Sequence, residues 1–337
     1  MGKSSKYQIL HSGGIAIVST PSMEYMAHQS YEMLRGLIKK RSLDFHVIGY
    51  DKFSKCEVLP IPQKSVRLKH VYLFYDFNGD ACHDAFVLQL TVSALQDAGA
   101  DAITLVMPFM PFLRQDRKDR SRVPISARDF IQGYERYDKV ERTITLDMHA
   151  DQTQGVFTKR SDHLPGHVIF VPWIKENFGN HLDDIVIVGP DAGSEKRVSA
   201  IAKRVGCKRA FLTKERNGKA VEMHEIHGAS VKGKICLIND DIMDTCGTIT
   251  KAATALTEHG AKKVILSATH AVFGGPAYER LAESGLQVVT TDSLKTEPHD
   301  WLTVLPLADY MAYAVLQNNI VDGSVSEIIR NGLPTAA

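Results

Sequence analysis

Short, β-branched apolar runs alternate with helix-length segments along most of this chain. Ile15–Val18, Phe45–Ile48, Val71–Tyr75, Ala102–Met107, Thr143–Leu146, Ile185–Val188, Ile235–Ile238, Val264–Ser267 and Leu286–Val289 predict strands. Between them, Asp84–Ala98 places Phe86, Leu90 and Ala94 at i, i+4 and i+8, which predicts a helix burying that stripe. Thr248–Glu258 follows a glycine turn and predicts another. Apolar strands alternating with helices imply parallel sheets covered on both faces.

The segment Gln96–Val106 is echoed by Glu258–Ser267: each has a helix end, Gly-Ala, and then a strand. A duplication explains this, and so does the ordinary preference for glycine just past a helix. Gly, Pro, His and Ser interrupt the pattern between Gly155 and Pro172. The expected organisation is two domains, 1–162 and 163–337, with the last ~25 residues packing on the N-terminal one; two is also what the length suggests.

Composition narrows the function classes. The chain has 337 residues, 44% of them apolar and 23% charged, which excludes wholesale disorder and fibrous structure. Lys and Arg total 40 against 39 Asp and Glu, a net charge of +1, without the basic excess of a general nucleic-acid or membrane-surface binder. The five cysteines include no CxxC pair, and a reduced, cytoplasmic setting suits them. Met1–Gln8 lacks the apolar core of a signal peptide, and no run of about 20 apolar residues occurs. The expectation is a soluble protein with no nucleic-acid or membrane partner.

The segment richest in chemistry is Ile235–Ile249, Ile-Cys-Leu-Ile-Asn-Asp-Asp-Ile-Met-Asp-Thr-Cys-Gly-Thr-Ile. A strand delivers Asp240 and Asp241, and Asp244-Thr-Cys-Gly-Thr248 then leads into a helix. Successive backbone N–H groups at such a turn cradle phosphate, Thr245 and Thr248 add hydroxyls, and Gly247 permits close approach. The acids need a non-anionic partner, such as ribose hydroxyls or a metal ion. A simple N-capped helix would need only one of these residues.

Strand, Asp-Asp, two residues, then Asp-Thr-x-Gly-Thr resembles the 5-phosphoribosyl diphosphate motif of the type I phosphoribosyltransferase fold. Other segments narrow the resemblance to the ribose-phosphate diphosphokinase (phosphoribosyl pyrophosphate synthetase) family. Asp147-Met-His-Ala-Asp-Gln-Thr-Gln-Gly-Val-Phe157, with Asp162 beyond it, is similar to that family's signature, departing at Met148, Val156 and Arg160. Asp147 and His149 alternate at a strand end and so point the same way, suited to hold Mg²⁺ directly or through water. Arg114–Ala127 resembles the family's ATP-binding loop, with Arg114, Gln115 and Asp116 as implied ATP contacts. Ile187–Arg197 resembles a segment whose acid, here Asp191, faces metal or ribose, with Ser194 where a second glycine usually stands. Leu212–Lys219 resembles the flexible catalytic loop, its Lys-x-Arg present as Lys214 and Arg216. Phe53-Ser-Lys-Cys-Glu57 matches an adenine-contacting segment at Phe53 and Glu57, while Lys55 replaces an acid. Ala268–Gly275 also matches, and the similarity runs from about Gly49 to Asp292.

The resemblance implies two type I phosphoribosyltransferase-like α/β domains, with parallel sheets flanked by helices. It implies transfer of the β,γ-diphosphoryl group of ATP to ribose 5-phosphate. Lys214 and Arg216 are then catalytic, and Phe53, Glu57, Arg114, Gln115, Asp116 and His149 contact ATP. Asp240, Asp241, Asp244, Thr245, Cys246, Gly247 and Thr248 hold ribose 5-phosphate, and Asp147, His149, Asp162 and Asp191 serve Mg²⁺. A homo-oligomer, commonly a hexamer, is implied too, with the Phe53 loop completing a neighbour's ATP site. Family members often carry a serine-rich allosteric phosphate/ADP site; Phe74-Tyr-Asp-Phe77 stands there instead, so weak or absent phosphate activation is expected. A nucleobase phosphoribosyltransferase and a non-catalytic regulatory homologue remain as alternatives.

Three further patterns are set aside. Gly228–Lys234 nearly fits a Walker A loop, but Ile235 replaces the required Ser or Thr and a strand follows instead of a helix. His163/His167 and His224/His227 have metal-like spacings without completing ligands, and surface loop histidines are expected.

Overall fold

A computed structural model describes residues 13–38, 43–53, 57–217, 221–320 and 323–334; the side chains of residues 192, 214–217 and 221–224 lie outside that description. Lys55 is also outside it. The chain divides into two compact units: residues up to Pro165 together with those from Leu307, and residues Gly166–Pro306.

The first unit opens with β1 (Ile15–Ser19), α1 (Glu24–Leu37) and β2 (Leu43–Val47). A two-stranded antiparallel hairpin follows, β3 (Gly49–Lys52) and β4 (Val58–Ile61). Then come β5 (His70–Phe74), α2 (Ala81–Asp97), β6 (Ala102–Val106), α3 (Ser126–Glu135), β7 (Val140–Leu146) and β8 (Arg160–Leu164). Its sheet is parallel throughout, in the order β2-β1-β5-β6-β7-β8. Every residue of β1, β5 and β6 is buried, which is why these strands read as unbroken apolar runs.

The second unit runs α4 (His167–Phe178), β9 (Ile185–Gly189), α5 (Glu195–Val205), β10 (Lys208–Asn217), β11 (Val221–Gly228), β12 (Ile235–Met243), α6 (Gly247–Glu258), β13 (Lys263–Ala271), α7 (Ala277–Ser284), β14 (Gln287–Thr291) and β15 (Leu302–Leu305). Its sheet order is β11-β10-β9-β12-β13-β14-β15, parallel except for the antiparallel β10–β11 hairpin. The near-Walker segment is the link from β11 to β12, two strands, as its sequence requires.

α8 (Ala308–Gln317) and α9 (Val325–Asn331) belong to the first unit. The Ser30 hydroxyl on α1 donates to the Ala308 carbonyl at 2.8 Å, and the Asn319 amide donates to the buried Tyr72 hydroxyl at 2.6 Å.

Leaving aside the extra edge strand β11, both sheets share one order: second strand, first, third, fourth, fifth, sixth. Gly99 (φ +87°) and Gly260 (φ +85°) end α2 and α6 in matching left-handed turns, and Ala100 N–H to Leu95 O and Ala261 N–H to Leu256 O close both. The sequence echo therefore falls on the same helix-to-fourth-strand junction of two copies of one topology.

The predicted stripe on α2 is corrected. Val87, Leu88, Thr91, Val92 and Leu95 face the core, while Phe86 is 60% exposed. The helix starts at Ala81 and is apolar on most sides, so periodicity alone does not fix which side the sheet covers.

Candidate active site

In the second unit, β12 carries Asp240, half-buried, and Asp241, buried, to the C-terminal edge of the sheet, where ligands of such α/β folds bind. The preceding Asn239 is pinned to the next strand, donating to Ser267 Oγ at 3.0 Å. Arg197 on α5 spans the acid pair, with Nη1 3.4 Å from Asp240 Oδ1 and Nη2 3.5 Å from Asp241 Oδ1. Burial and the adjoining Asp241 push the Asp240 carboxyl well above the usual range, and the Arg197 charge opposes that rise. The sequence reading missed Arg197, whose tie to Asp240 spans 43 positions and leaves no local signal.

Beyond the acids the chain turns through Cys246 at φ 60° into α6. No side chain caps this helix, so its first backbone N–H groups are open to an anion. Thr245 and Thr248 are exposed beside them. Cys246 is different: its thiol is buried and pushed up to about 12 by that burial, so only its backbone can serve a ligand. A Cβ on Gly274 would lie 2.6 Å from Asp244 Oδ1, so the Asp244 carboxylate needs glycine opposite it.

Asp191 closes the turn after β9. Its carboxylate accepts the Ser194 N–H at 3.1 Å, and its carbonyl accepts the Ser194 hydroxyl at 2.6 Å. A Cβ on Gly189 would meet Ser194 Oγ at 2.3 Å, so Gly189 makes room for the serine that replaces the expected glycine. Lys214 and Arg216 lie on β10, opposite His224 and Glu222 of β11; their side chains are outside the described part of the chain.

In the first unit, a cavity of about 380 Å³ beyond β6 and β7 is lined by Arg114, Gln115, Asp116, Arg117, Arg120 and His149, among others. Arg114, Gln115 and His149 are exposed to it. Gln152 donates to Asp116 Oδ2 at 3.1 Å, tying the arginine loop to the His149 segment, and the Ser126 hydroxyl donates to Gln115 Oε1. Asp147 is buried at φ 36°, its N–H donating to Leu164 O at 2.8 Å.

One expectation changes here, and one predicted site residue has strong partners of its own. Asp162 is held by Arg142, whose Nη1 donates to its two oxygens at 2.7 and 2.8 Å, and by Asn318 at 3.0 Å. These bonds join β7, β8 and the C-terminal helices through the Asp162 carboxylate. The spaced histidines are not in loops: His163 and His227 lie on β8 and β11, and His167 is buried in the first turn of α4. His163 Nε2 accepts the Met148 N–H at 2.9 Å, while Nδ1 faces Asp151 Oδ1 at 3.5 Å. An accepting Nε2 requires the proton on Nδ1, the side of the carboxylate. His163 thus braces the loop that carries His149, a role its spacing did not suggest.

Phe53 is 56% exposed at the end of β3, and its N–H donates to the carbonyl of the exposed Glu57 at 2.9 Å. Neither residue lines the cavity. Among the described residues no three His, Cys, Asp or Glu side chains converge on one point. An ion such as Mg²⁺, which takes one or two protein ligands and completes its shell with phosphate oxygens and water, needs no such cluster. No helix of the described residues is long and apolar enough to cross a membrane.

Two family models match in chain order: the N-terminal domain of ribose phosphate pyrophosphokinase over residues 16–136 and a phosphoribosyl transferase domain over 170–297. Ribose-phosphate pyrophosphokinase 1 of Listeria monocytogenes is 35% identical over 281 residues, covering 82% of this chain and 87% of the relative. Ribose-phosphate pyrophosphokinase 2 of Saccharomyces cerevisiae is 34% identical over 286 residues, covering 83% and 88%. The crystal structure of phosphoribosylpyrophosphate synthetase from Mycobacterium smegmatis superimposes with a TM-score of 0.80 at 29% identity, over 95% of this chain and 100% of that one. Such similarity, sustained through both units, means that the chain belongs to the ribose-phosphate pyrophosphokinase family.

Proposed function

We propose that this chain transfers the β,γ-diphosphoryl group of ATP to the C1 hydroxyl of ribose 5-phosphate, giving 5-phosphoribosyl diphosphate and AMP. The observation that carries this reading is the arginine-lined cavity with His149 at its edge, because the turn of the second unit alone would serve a nucleobase phosphoribosyltransferase equally well. Arginine forks match phosphate oxygens, and five cations within Arg114–Arg122 suit a triphosphate.

In this reading the 5-phosphate rests on Asp244–Thr248 at the open end of α6, and Asp240 and Asp241 accept from the ribose hydroxyls. The C1 oxygen attacks the β-phosphorus of ATP, the bond from that phosphorus to the α–β bridging oxygen breaks, and AMP departs with the bridging oxygen. Arg114, Gln115 and Asp116 hold the nucleotide. Lys214 and Arg216 stabilise charge spread over the transferring group, and binding both substrates together supplies much of the remaining rate. Mg²⁺ would neutralise charge on the nucleotide phosphates, with Asp147 and His149 as its proposed ligands in the first unit and Asp191 as a proposed ligand in the second. The enzyme would work in the cytoplasm as a homo-oligomer, a hexamer by family resemblance. Phe53 and Glu57, exposed and outside the cavity of their own chain, would complete a neighbour's ATP site.

The test is AMP release from ATP and Mg²⁺, with and without ribose 5-phosphate, and with GTP or CTP as alternative donors. Sugar-dependent AMP formation is the expected result, and the donor ranking reports what Lys55 does to base selection. Absence of AMP with every donor, from protein that still binds ribose 5-phosphate, would point to the regulatory homologue.

A further inference from the structure

Arg280, on α7, reaches back across the turn that precedes α6. Its Nη1 donates to the Thr245 carbonyl at 2.8 Å, and a Cβ on Gly247 would lie 3.3 Å from the same nitrogen. The guanidinium therefore lies against the backbone of Thr245–Gly247, the stretch that enters α6 without a side-chain cap.

The Thr245–Cys246 peptide is planar and trans, so its C=O and N–H point in opposite directions. A carbonyl drawn toward Arg280 turns the Cys246 N–H to the other side of the turn. Cys246 also sits at φ 60°, a conformation that costs an L-residue energy unless its surroundings hold it. A charged donor on the preceding carbonyl is such a hold, stronger than a neutral hydrogen bond. Gly247 is the residue that gives the guanidinium room.

We infer that Arg280 is a positioning residue for substrate binding: by holding the Thr245 carbonyl, it keeps the Thr245–Cys246 peptide in the orientation that presents its N–H to the 5-phosphate. The inference rests on the reading of that turn as the seat of ribose 5-phosphate. Arg280 acts on one substrate, and its effect belongs in affinity. The side chain is exposed, so its replacement leaves the core intact.

The experiment compares wild type, Arg280→Met and Arg280→Lys by steady-state kinetics in both substrates and by calorimetric titration with ribose 5-phosphate. Arg280→Met should raise KM and Kd for ribose 5-phosphate about tenfold, with KM for ATP and the melting temperature nearly unchanged. Arg280→Lys, which keeps a charged donor, should recover most of that loss. An unchanged ribose 5-phosphate affinity in Arg280→Met, an equal rise in both KM values, or no recovery by lysine would overturn the inference while leaving the proposed reaction standing. Wild-type protein that neither binds ribose 5-phosphate nor forms AMP would overturn both.

Discussion

The N–H of Met148 donates to Nε2 of His163 across 2.9 Å, joining the loop after β7 to the strand β8 beside it. Asp147 and His149 flank that amide, so the imidazole sets where His149 stands at the rim of the cavity. Replacing His163 with Leu removes the acceptor and should raise KM for ATP roughly five- to tenfold, with KM for ribose 5-phosphate unchanged. Gln can place an oxygen near the Nε2 position, so His163→Gln should retain most of the affinity. ATP titrations of both variants check this, and equal behaviour of Leu and Gln would assign the residue to packing alone.

Arg197 is the cation shared by Asp240 and Asp241. Asp240 already titrates above the usual carboxylate range because of burial and Asp241. A carboxyl raised on folding holds its proton longer in the folded state than in the unfolded one. Its contribution to stability is therefore full below the unfolded value, near pH 4, and declines as pH rises toward the raised folded value. Arg197→Met removes the compensating charge and raises Asp240 further, so that the cost of ionising it in the folded state grows as pH rises past neutrality. The loss of stability should be small near pH 5 and grow to about 2 kcal/mol near pH 8. Melting curves across that range check it, and a pH-independent difference would contradict the pairing.

What the sequence made legible divides along physical lines. β1, β5, β6, β9 and β12 are central strands whose buried residues form continuous apolar runs, and each was readable. β8 and β15 are edge strands with one buried residue each, and β3 has none, so no such run marks them. The Asp240–Thr248 turn was readable because strand, acids, turn and helix are contiguous. Arg197, His163 and Arg280 were not, since each meets its partner across 43, 15 or 35 positions, a distance that only the sheet topology closes.

The two units also bear on the expectation of weak or absent phosphate activation. The third strand of each sheet runs into a helix, β5 into α2 and β12 into α6. Where α6 is uncapped, α2 begins with Asp80, whose carboxylate accepts the N–H groups of Cys82 at 2.8 Å and His83 at 3.0 Å and is held below its ordinary value by these bonds. Nearby, buried Asp76 accepts from Thr20 Oγ1 at 2.8 Å and Ser22 Oγ at 2.6 Å. An anion approaching this copy of the turn meets two carboxylates and amides already in use. Inorganic phosphate added at saturating substrates should leave the rate within about twofold, a shift below the worth of one typical hydrogen bond. A severalfold activation would overturn the expectation.

On the proposed function, Lys214 and Arg216 bear on turnover rather than affinity. On the proposed chemistry they meet charge that develops on the diphosphoryl oxygens only as the C1 oxygen attacks, so their contribution belongs to the transition state. Lys214→Ala should lower kcat about a hundredfold or more while ribose 5-phosphate affinity stays within about threefold. Arg280→Met is expected to do the reverse, which makes the two variants internal controls for one another. Full kinetics of both, and of the double variant, separate the roles: additive losses would follow from one residue acting on the transition state and the other on ground-state binding. Unchanged kcat in Lys214→Ala would remove that lysine from the catalytic set, leaving charge stabilisation to Arg216 and the arginine loop of the first unit.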